Sequence, residues 1–118
     1  MNTQKIAKLG EKLAQNYLVR KKYSIIATNV KYREGEIDIV AKKTHQLIFV
    51  EVKTRTSWDF GYPEEALDFR KGQRLMAAVN RYIYETNYQG KWRVDLITLD
   101  LKGKKAALRH YQSVEIAD

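Results

Sequence analysis

The chain has no cysteine, a single proline at Pro63 and only two histidines, His45 and His110, among 118 residues. Without cysteine there is no disulfide framework and no thiolate chemistry. Two histidines are too few for a zinc ion caged by protein ligands, and neither is assigned a role. Long apolar runs are missing as well. None approaches the ~20 residues of a membrane span, and the opening Met1-Asn2-Thr3-Gln4-Lys5 lacks a signal-peptide core. The expected compartment is therefore the cytoplasm, with no membrane contact. No glycine-rich phosphate loop or nucleophile elbow occurs, which leaves nucleotide hydrolysis and acyl transfer without support. No repeat, low-complexity tract or linker interrupts the chain, and its length suits a single domain over residues 1–118.

The apolar content of 44% and charged content of 31% are those of a globular protein rather than a disordered one. The net charge of +8 is unevenly spread: residues 1–35 carry +6, residues 36–69 carry −3 and residues 70–118 carry +5. Two basic flanks thus surround an acidic centre. Such a pattern suits a polyanion-binding surface around a metal site, although a generally basic protein would share the total.

Ile6, Leu9, Leu13, Tyr17 and Leu18 recur at helical spacing and predict a first helix over residues 3–21. Residues 23–30 and 36–42 read as two strands joined by a turn at Glu34-Gly35, and residues 46–54 as a third. The third has two apolar faces, Leu47/Phe49 and Ile48/Val50/Val52, as expected of a central strand covered on both sides. Asp59 to Pro63 is a predicted loop, and Pro63 lies close to the start of a second helix that runs to Asn87. That helix has a core stripe of Leu75, Val79, Tyr82 and Ile83, with Arg70, Arg74 and Arg81 together on the opposite face. Trp92 to Leu99 is a fourth strand, Lys102-Gly103-Lys104-Lys105 a turn and residues 106–114 a last strand. The order αβββαββ predicts an α/β fold: a mixed sheet flanked by helices.

Charge appears where such strands should exclude it. Asp38 sits in Gly35-Glu36-Ile37-Asp38-Ile39-Val40, and Glu51 and Lys53 close Leu47-Ile48-Phe49-Val50-Glu51-Val52-Lys53. Strand side chains alternate faces, so Glu51 and Lys53 point the same way. Burying charge in apolar strands is costly unless the charges are paired or hold a metal. Glu11 joins this group from the first helix, where Ala7, Ala14 and Leu18 place it at the edge of the buried face. On physical grounds alone, a functional site and a structural ion-pair network are equally supported. Trp58, Phe60 and Tyr62 in the loop could stack on splayed bases or simply anchor the loop.

Gly35-Glu36-Ile37-Asp38 with Phe49-Val50-Glu51-Val52-Lys53 resembles the PD-(D/E)XK nuclease superfamily, the fold of many restriction endonucleases and of archaeal Holliday junction resolvases. Gly10-Glu11, Ala14, Tyr17-Leu18, Asn29, Gly35 to Asp38, Glu51 to Arg55, Phe60-Gly61 and Arg93-Val94-Asp95 are similar, in order, to the bacterial YraN family of nuclease-like proteins. The resemblance implies a restriction-endonuclease-like domain and a metal-dependent nuclease that acts on DNA, branched DNA included. The alternative is a nucleic-acid-binding module that keeps the fold without catalysis. Asp38 and Glu51 would be the metal-binding acids, with the carbonyl of Val52 as a third ligand for Mg²⁺ or Mn²⁺. Lys53 would be the catalytic lysine and Glu11 the first-helix acid. Gln73 would be a polar residue near the site, and Arg55, Gln73, Arg70, Arg74 and Arg81 would contact nucleic acid. The superfamily's proline before the aspartate is Ile37 here. Resolvase-like relatives imply a homodimer, matched to a two-fold symmetric junction.

Overall fold

The computed structural model describes residues 2–56 and 69–116. The predicted loop up to Pro63, with Trp58, Phe60 and Tyr62, lies outside the described residues. The elements run α1 (Thr3–Arg20), β1 (Ser24–Lys31), β2 (Glu36–Lys43), β3 (Gln46–Arg55), α2 (Phe69–Thr86), β4 (Lys91–Lys102) and β5 (Lys105–Tyr111). This is the predicted αβββαββ order. Asn2 caps α1, its side chain accepting from the Lys5 N–H at 2.9 Å. Gly103, at a φ of 57°, takes the left-handed position of the turn between β4 and β5.

The five strands lie in chain order across the sheet. Successive strands are antiparallel except β3 and β4, which run parallel from Gln46↔Lys91 to Arg55↔Asp100. A parallel pair requires a crossover, and the segment containing α2 provides it. The two apolar faces of β3 then meet two different helices. Ile48 and Val50 pack with Ala14 and Leu18 of α1, whereas Leu47 and Phe49 pack with Leu75, Ala78 and Val79 of α2. Among the described residues no helix is long and apolar enough to cross a membrane.

Two close approaches fix the helices on the sheet. At Gly10 of α1 a Cβ would collide with the Thr54 side chain at the end of β3. At Gly35, before β2, a Cβ would overlap the backbone carbonyl of Arg74 in α2. Each glycine therefore permits a contact that a larger residue would hold apart.

Strand β2 departs from regular alternation at one place. Ile37 and Val40 pack on the α2 side, and Ile39 and Ala41 on the α1 side. Two residues apart, Ile37 and Ile39 should share a face, so the strand changes face at Asp38. The neighbouring strand is irregular as well: Asn29, opposite Asp38, has a φ of 50°, and the β1–β2 register shifts between Ile25 and Ala27, opposite Ala41 and Val40. The β2–β3 ladder ends at Ile39↔Val50. One further step in the same register would set Asp38 opposite Glu51.

Candidate metal centre at the β2–β3 notch

Beyond Ile39 and Val50 the two strands part, and β3 has no backbone partner from β2. Asp38 fills part of this notch. Its Oδ2 accepts the Val52 N–H at 2.8 Å, a side chain taking the place of a ladder carbonyl. In a strand the N–H and C=O of one residue point to the same neighbour, so the Val52 carbonyl opens toward the same notch. The Asp38 carboxyl also shares a hydrogen bond with that of Glu51. Glu11 of α1 acts on Asp38 from one side of the sheet and Glu36 from the start of β2.

The electrostatics of this pair are unfavourable to two ionised acids. Burial pushes the Asp38 carboxyl up to about 6, with the Glu11 and Glu36 charges adding to the rise, and the Val52 N–H opposes it. Burial and then the charge of Asp38 push Glu51 up to about 8, against the pull of Lys71. Lys53 is held below the ordinary lysine range by contact with Lys71 and by burial, while Glu51 acts in the other direction. Two half-buried acids therefore share one opening with two lysines.

A small cavity of about 160 Å³ adjoins Glu51, which lines it with Glu36, Lys71, Arg74 and Leu75. Among the described residues no group of three or more His, Asp and Glu side chains forms a ready-made metal cage. The available donor set is two carboxylates and one carbonyl, all oxygen. This set suits Mg²⁺, which keeps several waters and needs only one or two carboxylates. Two buried acids that repel each other are also a setting that a divalent cation relieves.

Of the residues singled out from sequence, Asp38 and Glu51 meet through their carboxyls, Lys53 lies within the field of Glu51, and Glu11 acts on Asp38 through its charge. Arg55, half-buried at the end of β3, adds to the charge around Lys53. Arg70 and Arg74 lie exposed on α2, and Arg74 borders the small cavity. Arg81 is committed elsewhere: its guanidinium bridges Glu34, at 2.8 Å, and Glu85. Gln73 does not line the cavity of the acids. It lines a separate one of about 660 Å³, with Met76, Asn80, Trp92, Val114 and Ile116. A second-helix residue that acts on Glu51 directly is Lys71, which sequence reading passed over. Its signal was present, because Lys71, Leu75 and Val79 fall at i, i+4 and i+8, so the lysine, itself exposed, lies one turn before the core stripe.

A second buried acid provides the contrast. Asp95 on β4 is fully buried and accepts from Arg93 Nε at 2.9 Å, His110 Nε2 at 2.7 Å and the Ser113 N–H at 3.0 Å. Burial alone would raise its carboxyl, but the bonds from His110, Arg93 and Ser113 outweigh burial and hold it below the usual range. The Tyr17 hydroxyl completes the network at 2.9 Å from His110 Nδ1, and Arg93 also reaches the Tyr23 hydroxyl at 2.9 Å. Burial raises the Tyr17 hydroxyl, so it is not an activated nucleophile. This network ties α1, β4 and β5 together and is satisfied within the protein. In the Asp38–Glu51 pair, by contrast, burial prevails and both carboxyls are raised.

The pattern of the uncharacterised protein family UPF0102 matches residues 10–99. The chain is similar to a UPF0102 protein of Caldanaerobacter subterraneus subsp. tengcongensis, 42% identical over 109 residues that cover 92% of this chain and 89% of the relative. It is 38% identical over 115 residues to one of Carboxydothermus hydrogenoformans, covering 97% and 98% of the two chains. With one of Flavobacterium psychrophilum the identity is 38% over 107 residues, covering 91% and 90%.

Proposed function

The chain belongs to the uncharacterised UPF0102 family, and from its site we propose that it is a divalent-metal-dependent nuclease hydrolysing phosphodiester bonds of DNA, branched DNA included. One observation carries the reading: where the β2–β3 ladder ends, the Asp38 carboxyl takes the Val52 N–H at 2.8 Å and meets the Glu51 carboxyl in one half-buried opening, and burial raises both acids. Structural ion-pair networks lower the energy of their charges, as Asp95 does. Two neighbouring acids that burial and mutual repulsion raise are a setting that a bound divalent cation relieves. The resemblance to the PD-(D/E)XK superfamily points the same way.

In this reading Asp38, Glu51 and the Val52 carbonyl hold Mg²⁺ or Mn²⁺. When bound, such an ion supplies positive charge beside the phosphate and an acidified water. The other tasks fall to the chain's own residues. Hydrolysis joins a water oxygen to phosphorus and releases an alcohol oxygen, so one proton leaves the water and another reaches the leaving group. Lys53, next to Glu51 and below the ordinary lysine range, is placed to orient the water or to stabilise charge on a phosphate oxygen. Glu11 acts on the Asp38 side and helps to order water there. Arg55, Arg70 and Arg74 give the basic rim that meets neighbouring phosphates. A homodimer would match the symmetry of a four-way junction.

The test is a panel of labelled single-stranded, duplex, flapped and four-way DNA, incubated with Mg²⁺, Mn²⁺ or EDTA. The expected outcome is cleavage that needs the metal and is lost in Asp38→Asn. Tight binding of the panel without cleavage under either metal would favour a non-catalytic binding module instead.

A further inference from the structure

We propose that Lys71 is a second phosphate-contacting lysine, which together with Lys53 seats the non-bridging oxygens of the phosphate facing Asp38 and Glu51. The proposal rests on the nuclease reading and names a residue that neither the sequence motifs nor the family assigns. It stands first on position. Lys71, an exposed residue, lies one helical turn before the buried Leu75 and lines the cavity that Glu51 also lines. The helix lies close against the sheet there, where the Gly35 backbone meets the Arg74 carbonyl without space for a side chain.

Second, the cavity beside the acids is built from both signs of charge. Lys71 and Arg74 line it from α2, Glu36 and Glu51 from the sheet, and Leu75 closes its apolar end. Its volume of about 160 Å³ would hold about five waters at ~30 Å³ each, which is room for a phosphate with part of its hydration. Third, the Lys53 and Lys71 side chains come within mutual contact beside Glu51. Two ammonium groups on one opening can both donate charge-assisted hydrogen bonds to the oxygens of a phosphate bound there.

A plainer role is possible for the same geometry: Lys71 as a counter-charge for Glu51, with no ligand contact. The experiment separates the two. Inorganic phosphate is titrated into protein carrying ¹³C-labelled lysine, with Mg²⁺ present so that Asp38 and Glu51 do not repel the probe. The Cε signals of Lys53 and Lys71 are followed in the wild type. Phosphate affinity, DNA cleavage and urea stability are compared for wild type, Lys71→Ala and Lys71→Arg. The expected result is that both lysine signals move with one dissociation constant. Lys71→Ala should weaken phosphate binding and lower kcat/KM on DNA by at least about tenfold, and Lys71→Arg should keep most of both. A Lys71 signal that stays still, or a Lys71→Ala protein that loses stability but binds phosphate as the wild type does, overturns the proposal. If the wild type cuts no DNA, the nuclease reading fails while the phosphate titration still decides the seat.

Discussion

Replacing Glu51 with glutamine should stabilise the metal-free protein, by an amount that grows with pH. An unfolded chain releases the Glu51 proton near pH 4.5, whereas burial and the Asp38 charge make the folded protein keep it until about 8. A carboxyl raised on folding makes the folded state the stronger proton binder. Stability is therefore greatest below the ordinary carboxylate range and falls as pH climbs toward the raised value. At about 1.4 kcal/mol per pH unit, Glu51 costs the fold under about 1 kcal/mol at pH 5 and about 3 kcal/mol at pH 7. Glutamine keeps the shape and can donate to Asp38, but it has no proton to release. Urea unfolding in EDTA, followed by circular dichroism, reads the difference. With a slope of about 1–3 kcal/mol/M, the midpoint of Glu51→Gln should exceed that of the wild type by about 1 M or more at pH 7. At pH 5 the two should nearly coincide. A variant that is less stable at both pH values would refute the reasoning, because Glu51 would then be an ordinary ion-pair partner of Lys71.

Other consequences follow from the same frame. Alanine at both Arg70 and Arg74 should flatten the dependence of log K on log salt for duplex DNA by up to about 2, at roughly 0.9 per phosphate contact; gel-shift titrations across salt concentrations measure it. Arg81→Ala should leave that slope unchanged, since Glu34 and Glu85 already hold its guanidinium, and a loss of slope would show that the bridges give way to DNA. Gly35→Ala should destabilise the fold by about 1–3 kcal/mol, because the new methyl meets the Arg74 backbone rather than a movable side chain; equal midpoints for variant and wild type in thermal unfolding would contradict the close approach.

Most of the architecture was legible because the periodicities were clean. The double apolar face of Leu47 to Val52 marked β3 as the covered strand, and the α2 stripe matched the burial of Leu75 and Val79. The acids were legible for a related reason, since charge in an apolar run is conspicuous. The way they meet was not. Strict alternation puts Ile37 and Ile39 on one face, and the change of face at Asp38 depends on backbone irregularity around Asn29 and Ile25/Ala27, which leaves no mark in hydrophobic pattern. Gln73 and Lys71 illustrate a second limit. They are two residues apart, and on a helix that separation turns a side chain to another side; both are exposed, and Lys71 lines the cavity beside Glu51 while Gln73 lines the other. Asp95 and His110 were readable as residues but not as a network, because their contact requires β4 and β5 to pair at Ile97↔His110.

The central claim is that Asp38 and Glu51 form a divalent-metal site, and calorimetric titration of Mn²⁺ at pH 7 in two buffers of different ionisation enthalpy tests it most directly. The wild type should bind the ion and release about one proton, because Glu51 keeps its proton up to about 8 while Asp38, at about 6, has already lost most of its own. Glu51→Gln, still folded, should bind at least about 100-fold more weakly and release almost none. Absence of Mn²⁺ binding by the wild type, or equal binding and proton release in the variant, would contradict the account.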